Sequence, residues 1–299
     1  MEAVDTTQAC PSSASTIFCI AAGLRYTALM PKAPTVKWTR EHALIALNLY
    51  GKLPFGKFDE RNRVIIEVAS KMGRSPGSLA MKLSNLASVD PVQRGRGIKG
   101  LSGASKQDRD MWKEFHSHIS ELGPESEQLL HDLFTKNNSR EVNFLERGKV
   151  RLEPSLSSPS GPTERTAMAR IRRGQQFFRQ TVLNCYGVRC CISGINVPHL
   201  LVASHIKPWR KFPQERLNPR NGLCLSSLHD AAFDGGLITL DKKLCLVLSK
   251  RLIGYFPQAA LEQSFVPFEG KPIRLPEKIA EPDPAFLRHH REVIFGKRN

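Results

Sequence analysis

The sequence predicts an α+β chain: a mainly helical N-terminal domain followed by a C-terminal domain built on two short strands and a helix. Three observations predict it. Apolar residues recur at helical spacing through residues 38–134. A stretch rich in Ser, Pro and Gly, Pro154–Pro162, interrupts that pattern. Beyond it, two short apolar runs flank a turn cluster, and a capped helix follows. The resulting division is a disordered extension over 1–36, a helical domain over 37–135, a linker over 136–164 and a second domain over 165–299.

Composition narrows the function classes. A chain of 299 residues fits two domains, and 40% apolar content supplies ordinary cores. The net charge of +16 and pI near 9.8 point to a polyanionic partner. No apolar run approaches the length of a transmembrane helix, so no membrane partner is expected. The seven cysteines are odd in number and form no CxxC pair. They read as reduced thiols of a cytoplasmic protein, and a structural zinc is not expected. Cys185 and Cys190, joined by Cys224 or Cys245, would make only an irregular site.

Taken in order, Met1–Ser15 is small and polar, and Ile17–Ala22 is a short apolar patch. Glu2 and Asp5 argue against a signal peptide, which leaves an extension or a start at Met30. Thr39 can cap a first helix carrying Ala43, Leu44, Ala46, Leu47 and Leu49. A second helix over 62–72 buries Val64, Ile65, Val68 and Ala69 and stops at Gly73. Ser75-Pro76 starts a third, with Leu79, Leu83 and Leu86 on one face. The spacing of Ala69, Gly73 and Leu79 fits a helix-turn-helix and a plain three-helix packing unit equally well. In the first reading Ser75, Ser78, Lys82 and Asn85 face a DNA groove.

Residues 91–107 carry Arg94, Arg96, Lys99 and Lys106, as a solvated linker or a loop that touches phosphates. Residues 109–134 read as helical across Pro124. Glu164 to Leu183 reads as one amphipathic helix whose polar face holds Arg170, Arg172, Arg173 and Arg179. One-signed charge of this kind favours phosphate contact.

The densest chemistry lies at 203–238. Ala203-Ser204-His205-Ile206 reads as a strand ending before Pro208-Trp209, and Asn218-Pro219-Arg220-Asn221-Gly222 is a turn cluster. Leu223-Cys224-Leu225 is the return strand, and Ser226 or Ser227 caps a short helix carrying His229 and Asp230. Lys207, Arg210, Lys211, Arg216 and Arg220 crowd the intervening loop against the lone acid Glu215. Ile238–Leu240 and Leu244–Leu248 form a further hairpin, and Pro284 to Phe295 a final helix, with His289 and His290 read as packing. Hydrolysis of a phosphodiester needs a base for water, which a near-neutral imidazole supplies, and charge at the phosphate, which a divalent cation supplies.

The order His205, Asn221, His229, with Pro208-Trp209 after the first and Phe233-Asp234-x-Gly236 after the last, resembles the HNH nuclease motif over roughly 165–295. The resemblance is to the version in restriction-type endonucleases, where a ββα finger holds one divalent metal. It implies His205 as general base, Asn221 as the residue orienting hairpin or base, and His229 as metal ligand. The preference of hard cations for carboxylates keeps Asp230 as the alternative ligand. Ser204 stands where many such proteins carry a ligating Asp, so the metal shell stays open at that position. The expected cofactor is Mg2+ or Mn2+, and the expected partner is DNA. Lys82, Arg172, Arg173, Lys207, Arg210, Lys211, Arg216 and Arg220 are the expected contacts. One finger cuts one strand, so double-strand cutting implies a homodimer or two binding events, though no heptad signature is present. A DNA-binding regulator with an inactive finger is the alternative that Ser204 supports.

Overall fold

Thr39 starts the first helix where the sequence places it: its hydroxyl accepts from His42 N at 3.2 Å, and α1 runs Arg40–Lys52. The computed structural model describes residues 37–299 other than 55, 96, 98–102, 136–139, 145–149, 155–161, 277–280 and 297–299. For 140–141, 153–154 and 162–168 it describes backbone only. The expectations for 1–36, with the start at Met30, and for Arg96 and Lys99 lie outside the described residues.

Ala43 to Tyr50 and Lys52 are all buried, so α1 is enclosed on every side. It is surrounded by α3 (Pro76–Val89), α5 (Lys106–Ser117), α6 (Ile119–Phe134) and α7 (Pro162–Cys185). The buried Lys52 ammonium pairs with Glu127, which also accepts from Asn48 Nδ2 at 3.0 Å. Asn62 caps α2 (Arg63–Lys71), Ser75 caps α3, and a short helix α4 (Pro91–Gly95) follows.

The turn between α2 and α3 has the expected spacing, but Lys82 does not face a groove. Its side chain is buried, its ammonium pairs with Asp108 of α5, and it lies 4.5 Å from the Trp38 ring centroid. The expectation of a DNA contact at Lys82 is therefore corrected. Leu79, Leu83 and Leu86 carry the visible apolar face, while the pairing across to Asp108 depends on how α5 packs.

The linker over 136–164 is also corrected in part. Strands β1 (Arg140–Asn143) and β2 (Arg151–Pro154) pair antiparallel there. Val142 O accepts from Gln176 and Gln180 Nε2 at 2.9 and 2.8 Å. Val142 and Phe144 are buried, an anchor too short to read as an apolar run. On either side of this hairpin, α7 packs on both α1 and α6 within the unit Trp38–Asn299. Asn184 Nδ2 donates to Gly51 O at 2.9 Å across that contact.

The second half carries two more hairpins. Strand β3 (Leu201–His205) pairs with β4 (Gly222–Ser226), placing His205 opposite Gly222, and α8 (Ser227–Asp234) leaves β4 directly. Strand β5 (Ile238–Leu240) pairs with β6 (Leu246–Leu248), as the sequence predicts. Two short helices, α9 (Lys250–Ile253) and α10 (Ala259–Phe265), and then α11 (Pro284–His289) with a π turn over His290–Phe295 complete the chain.

Candidate active site

Close approach of backbone to helix sets the hairpin. A Cβ at Gly222 would lie 2.5 Å from Val182 Cγ2 and 2.9 Å from Phe178 Cζ, so the strand can lie this close to α7 only with glycine there. Opposite Gly222, the His205 ring stacks on Phe178 at 3.9 Å and 12°. Trp209 meets the ring edge-on at 5.3 Å. The His205 Nε2 lies 2.9 Å from Arg216 O. A carbonyl only accepts, so Nε2 carries the proton and the lone pair of the neutral ring sits on Nδ1. Nδ1 has no hydrogen-bond partner among the described residues. Burial lowers the His205 pKa against the smaller opposing effect of the Arg216 carbonyl, which keeps the ring neutral near pH 7.

Asn221 is fully buried and ties the loop down. Its Oδ1 accepts from Lys207 N at 2.8 Å, and its Nδ2 donates to Lys207 O and Glu215 O at 3.2 and 3.1 Å. Glu215 precedes the carbonyl that holds His205, so Asn221 braces the loop segment against which the His205 ring is held.

Ser226 caps α8, accepting from His229 N, and the helix closes at the C-cap Gly235, just before Gly236. Gly236 has φ +66°, and a Cβ there would lie 2.6 Å from Ile294 O. His229 points into the core, which corrects the expectation that it is the metal ligand. Its Nε2 donates to Ser264 O at 2.9 Å and its Nδ1 accepts from the Ser226 hydroxyl at 2.7 Å. Its one lone pair is therefore already engaged.

Asp230 and Asp234 stand one turn apart on α8. Asp230 faces Ser204: burial raises the carboxyl pKa, and the nearby Ser204 hydroxyl partly offsets this. The Ser204 hydroxyl is itself buried and makes no hydrogen bond of normal geometry among the described residues. Asp234 reaches solvent, yet the protein crowded around it and the like charge of Asp230 hold its pKa up at about 6. Two such carboxylates beside an unpartnered hydroxyl are hard oxygen donors, and they fit a divalent Mg2+ or Mn2+ ion. No group of three or more His, Cys, Asp and Glu side chains suited to a metal occurs among the described residues, so water and phosphate would complete the shell. From sequence Asp234 reads as a turn-fixing residue before Gly235, with metal ligation as the alternative; its spacing of four from Asp230 is the signal that marks a shared face.

The structure thus gathers Ser204, Asp230 and Asp234 on the α8 side of β3, and His205, Trp209, Arg216 and Asn221 on the α7 side. Ser204 and His205 are consecutive at the end of β3, so one strand end carries a member of each group. Among the expected DNA contacts, Arg210 and Lys211 are exposed on the loop. Arg216 donates through Nε to Trp209 O at 2.8 Å, and Lys207 lies 4.7 and 4.5 Å from the Phe212 and Phe286 rings. Arg220 is exposed and pairs with Asp283 at 3.3 Å, and Arg172 is half-buried. Arg173 is corrected: it is buried, with Nε donating to Gln128 Oε1 at 3.2 Å. Arg179 holds Leu201 O at 2.7 Å and braces β3 rather than facing outward. His289 and His290 pack, against Phe212 and Phe233 respectively.

No curated protein matches the chain. Residues 190–241, which span β3, β4, α8 and every side chain of both groups, match the family model described as HNH endonuclease, so the chain carries an HNH endonuclease domain at those positions.

Proposed function

We propose that the chain is a divalent-metal-dependent DNA endonuclease, with a restriction-type role against foreign DNA. One observation carries the reading: the Arg216 carbonyl holds His205 in the tautomer that leaves Nδ1 free to accept a proton. His205 takes the proton of the attacking water. Asn221 keeps the Arg216 carbonyl in place by pinning the loop on both sides. Asp230 and Asp234, with Ser204 beside them, would hold the divalent ion, which would supply charge stabilisation at the phosphate and the leaving oxygen. Arg210 and Lys211 draw the DNA backbone toward the loop. The net charge of +16 supports DNA as the substrate.

The test is a plasmid assay with Mg2+, Mn2+ or EDTA, comparing wild type with His205→Ala. The variant is expected to lose cleavage by about 10²-fold or more while retaining DNA binding. Undiminished cutting would remove His205 from the role of base. A second reading, a DNA-binding regulator with an inactive finger, is favoured by Ser204, a weaker ligand than a carboxylate. Tight, salt-sensitive binding by wild type with no cleavage under any metal would select it.

A further inference from the structure

A cleft of about 630 Å³ opens between the α1–α2 connection, the start of α2, the end of α7 and Phe144 after β1, and none of its described lining residues belongs to the β3–β4 hairpin. Its size is that of a small-ligand site. Lys57, Arg61 and Arg63 line it. All three are exposed, and their charged groups have no partner among the described residues. Among the described residues lining it, Asp59 is the one acid, and its Oδ1 accepts from Arg61 N at 2.7 Å. The N-terminus of α2 adds the positive end of a helix dipole, and its first turn holds no acid.

Deeper in the cleft the chemistry changes. Phe144 contributes a buried aromatic ring, with Leu53 and Val188 beside it. Asn184 also lines it and is 5% exposed. Its Nδ2 is fixed by the bond to Gly51 O, while its Oδ1 has no partner among the described residues. A buried amide held in place with an open acceptor suits the polar edge of a planar ring. Cations at the mouth and an aromatic, amide-bearing interior select a ligand that is anionic at one end and planar at the other.

We infer that this cleft binds one nucleoside phosphate, its phosphate on Lys57, Arg61 and Arg63 and its base between Phe144 and Asn184. A free nucleotide and a single nucleotide unit of a DNA strand share this chemistry. The inference stands apart from cleavage, so its test runs in EDTA and survives failure of the nuclease reading. The full chain is titrated with 2-aminopurine deoxyriboside and its 5′-monophosphate, followed by fluorescence. Duplexes carrying 2-aminopurine at successive positions are titrated beside them.

For a free nucleotide, the monophosphate binds saturably and about tenfold or more tighter than the nucleoside. That comparison uses wild type alone. The double variant Arg61→Gln/Arg63→Gln brings monophosphate affinity down to the nucleoside's, while Arg61→Lys/Arg63→Lys retains most of it. For a strand nucleotide, the monophosphate stays unbound and one duplex position gains fluorescence that the Gln variant abolishes. Both side chains are exposed and unpartnered, so the Gln variant is expected to melt with wild type. No response from either probe, or equal responses from wild type and the Gln variant, overturns the inference.

Discussion

At the scale of single residues, the two carboxylates and the two histidines divide the work by where their polar atoms point. His205 keeps a lone pair open because its other nitrogen is spent on a carbonyl. His229 keeps none, since Ser226 and Ser264 take both nitrogens. Substitutions should separate the pairs. Asp234→Asn removes one anionic ligand and should raise the metal concentration for half-maximal cleavage about tenfold or more, with unfolding unchanged. His229→Ala should instead destabilise the fold by about 2 kcal/mol, through an unsatisfied carbonyl and lost packing on Phe265. Metal titration of cleavage and urea unfolding of both variants decide the matter. A raised metal requirement in His229→Ala with stability intact would return His229 to the ligand shell. The distinction was half legible in sequence. The charge preference of a hard cation favours Asp230, while motif register favours His229, and the engagement of both His229 nitrogens in the core supports the proposal of Asp230.

At the scale of elements, the loop between β3 and β4 carries both the carbonyl that fixes His205 and the exposed cations of the proposed DNA contact. Asn221 holds its two ends, and Arg210 and Lys211 stand exposed between them. Each exposed cation that meets a phosphate releases a counterion, so its loss lowers the salt dependence of binding. Arg210→Gln/Lys211→Gln is expected to reduce the slope of log affinity against log salt by about 2. Lys82→Met, inside the helical core, should leave the slope unchanged. Equal slopes in wild type and the loop variant would place the DNA elsewhere. The loop's charge was plain from composition. That Lys82 and Arg173 are turned inward was not, because a basic residue on a helix has the same letter whether it meets water or a buried acid. Their partners Asp108 and Gln128 lie 26 and 45 residues away.

At the scale of the whole molecule, His290 fastens the C-terminal helix to the finger. Its ring stacks on Phe233 at 3.6 Å, its Nε2 donates to Phe233 O, and its Nδ1 accepts from the Thr239 hydroxyl. Burial, resisted by the Phe233 carbonyl and reinforced by the charges of His289 and Arg291, lowers its pKa to about 4. An unfolded His takes its proton near pH 6.5, so the native state holds fewer protons between those values. Stability is therefore full above about pH 6.5 and falls as pH drops toward 4, by about 3 kcal/mol for this group. Urea midpoints from pH 8 to 4 should show that slope in wild type and a flatter one in His290→Gln. Parallel slopes would remove His290 as the cause.

By itself the sequence determined the α+β class, the helix starts at Thr39 and Ser75, the hairpin around His205 and the position of the HNH domain. These follow from local periodicity, capping chemistry and short motif spacing, which neighbours in the chain settle among themselves. Tertiary structure alone decided which face of α8 meets the hairpin, which cations are buried, and that 136–164 contains a paired hairpin. Those outcomes depend on partners far along the chain, whose burial and charge compete for each side chain only once the helices have packed.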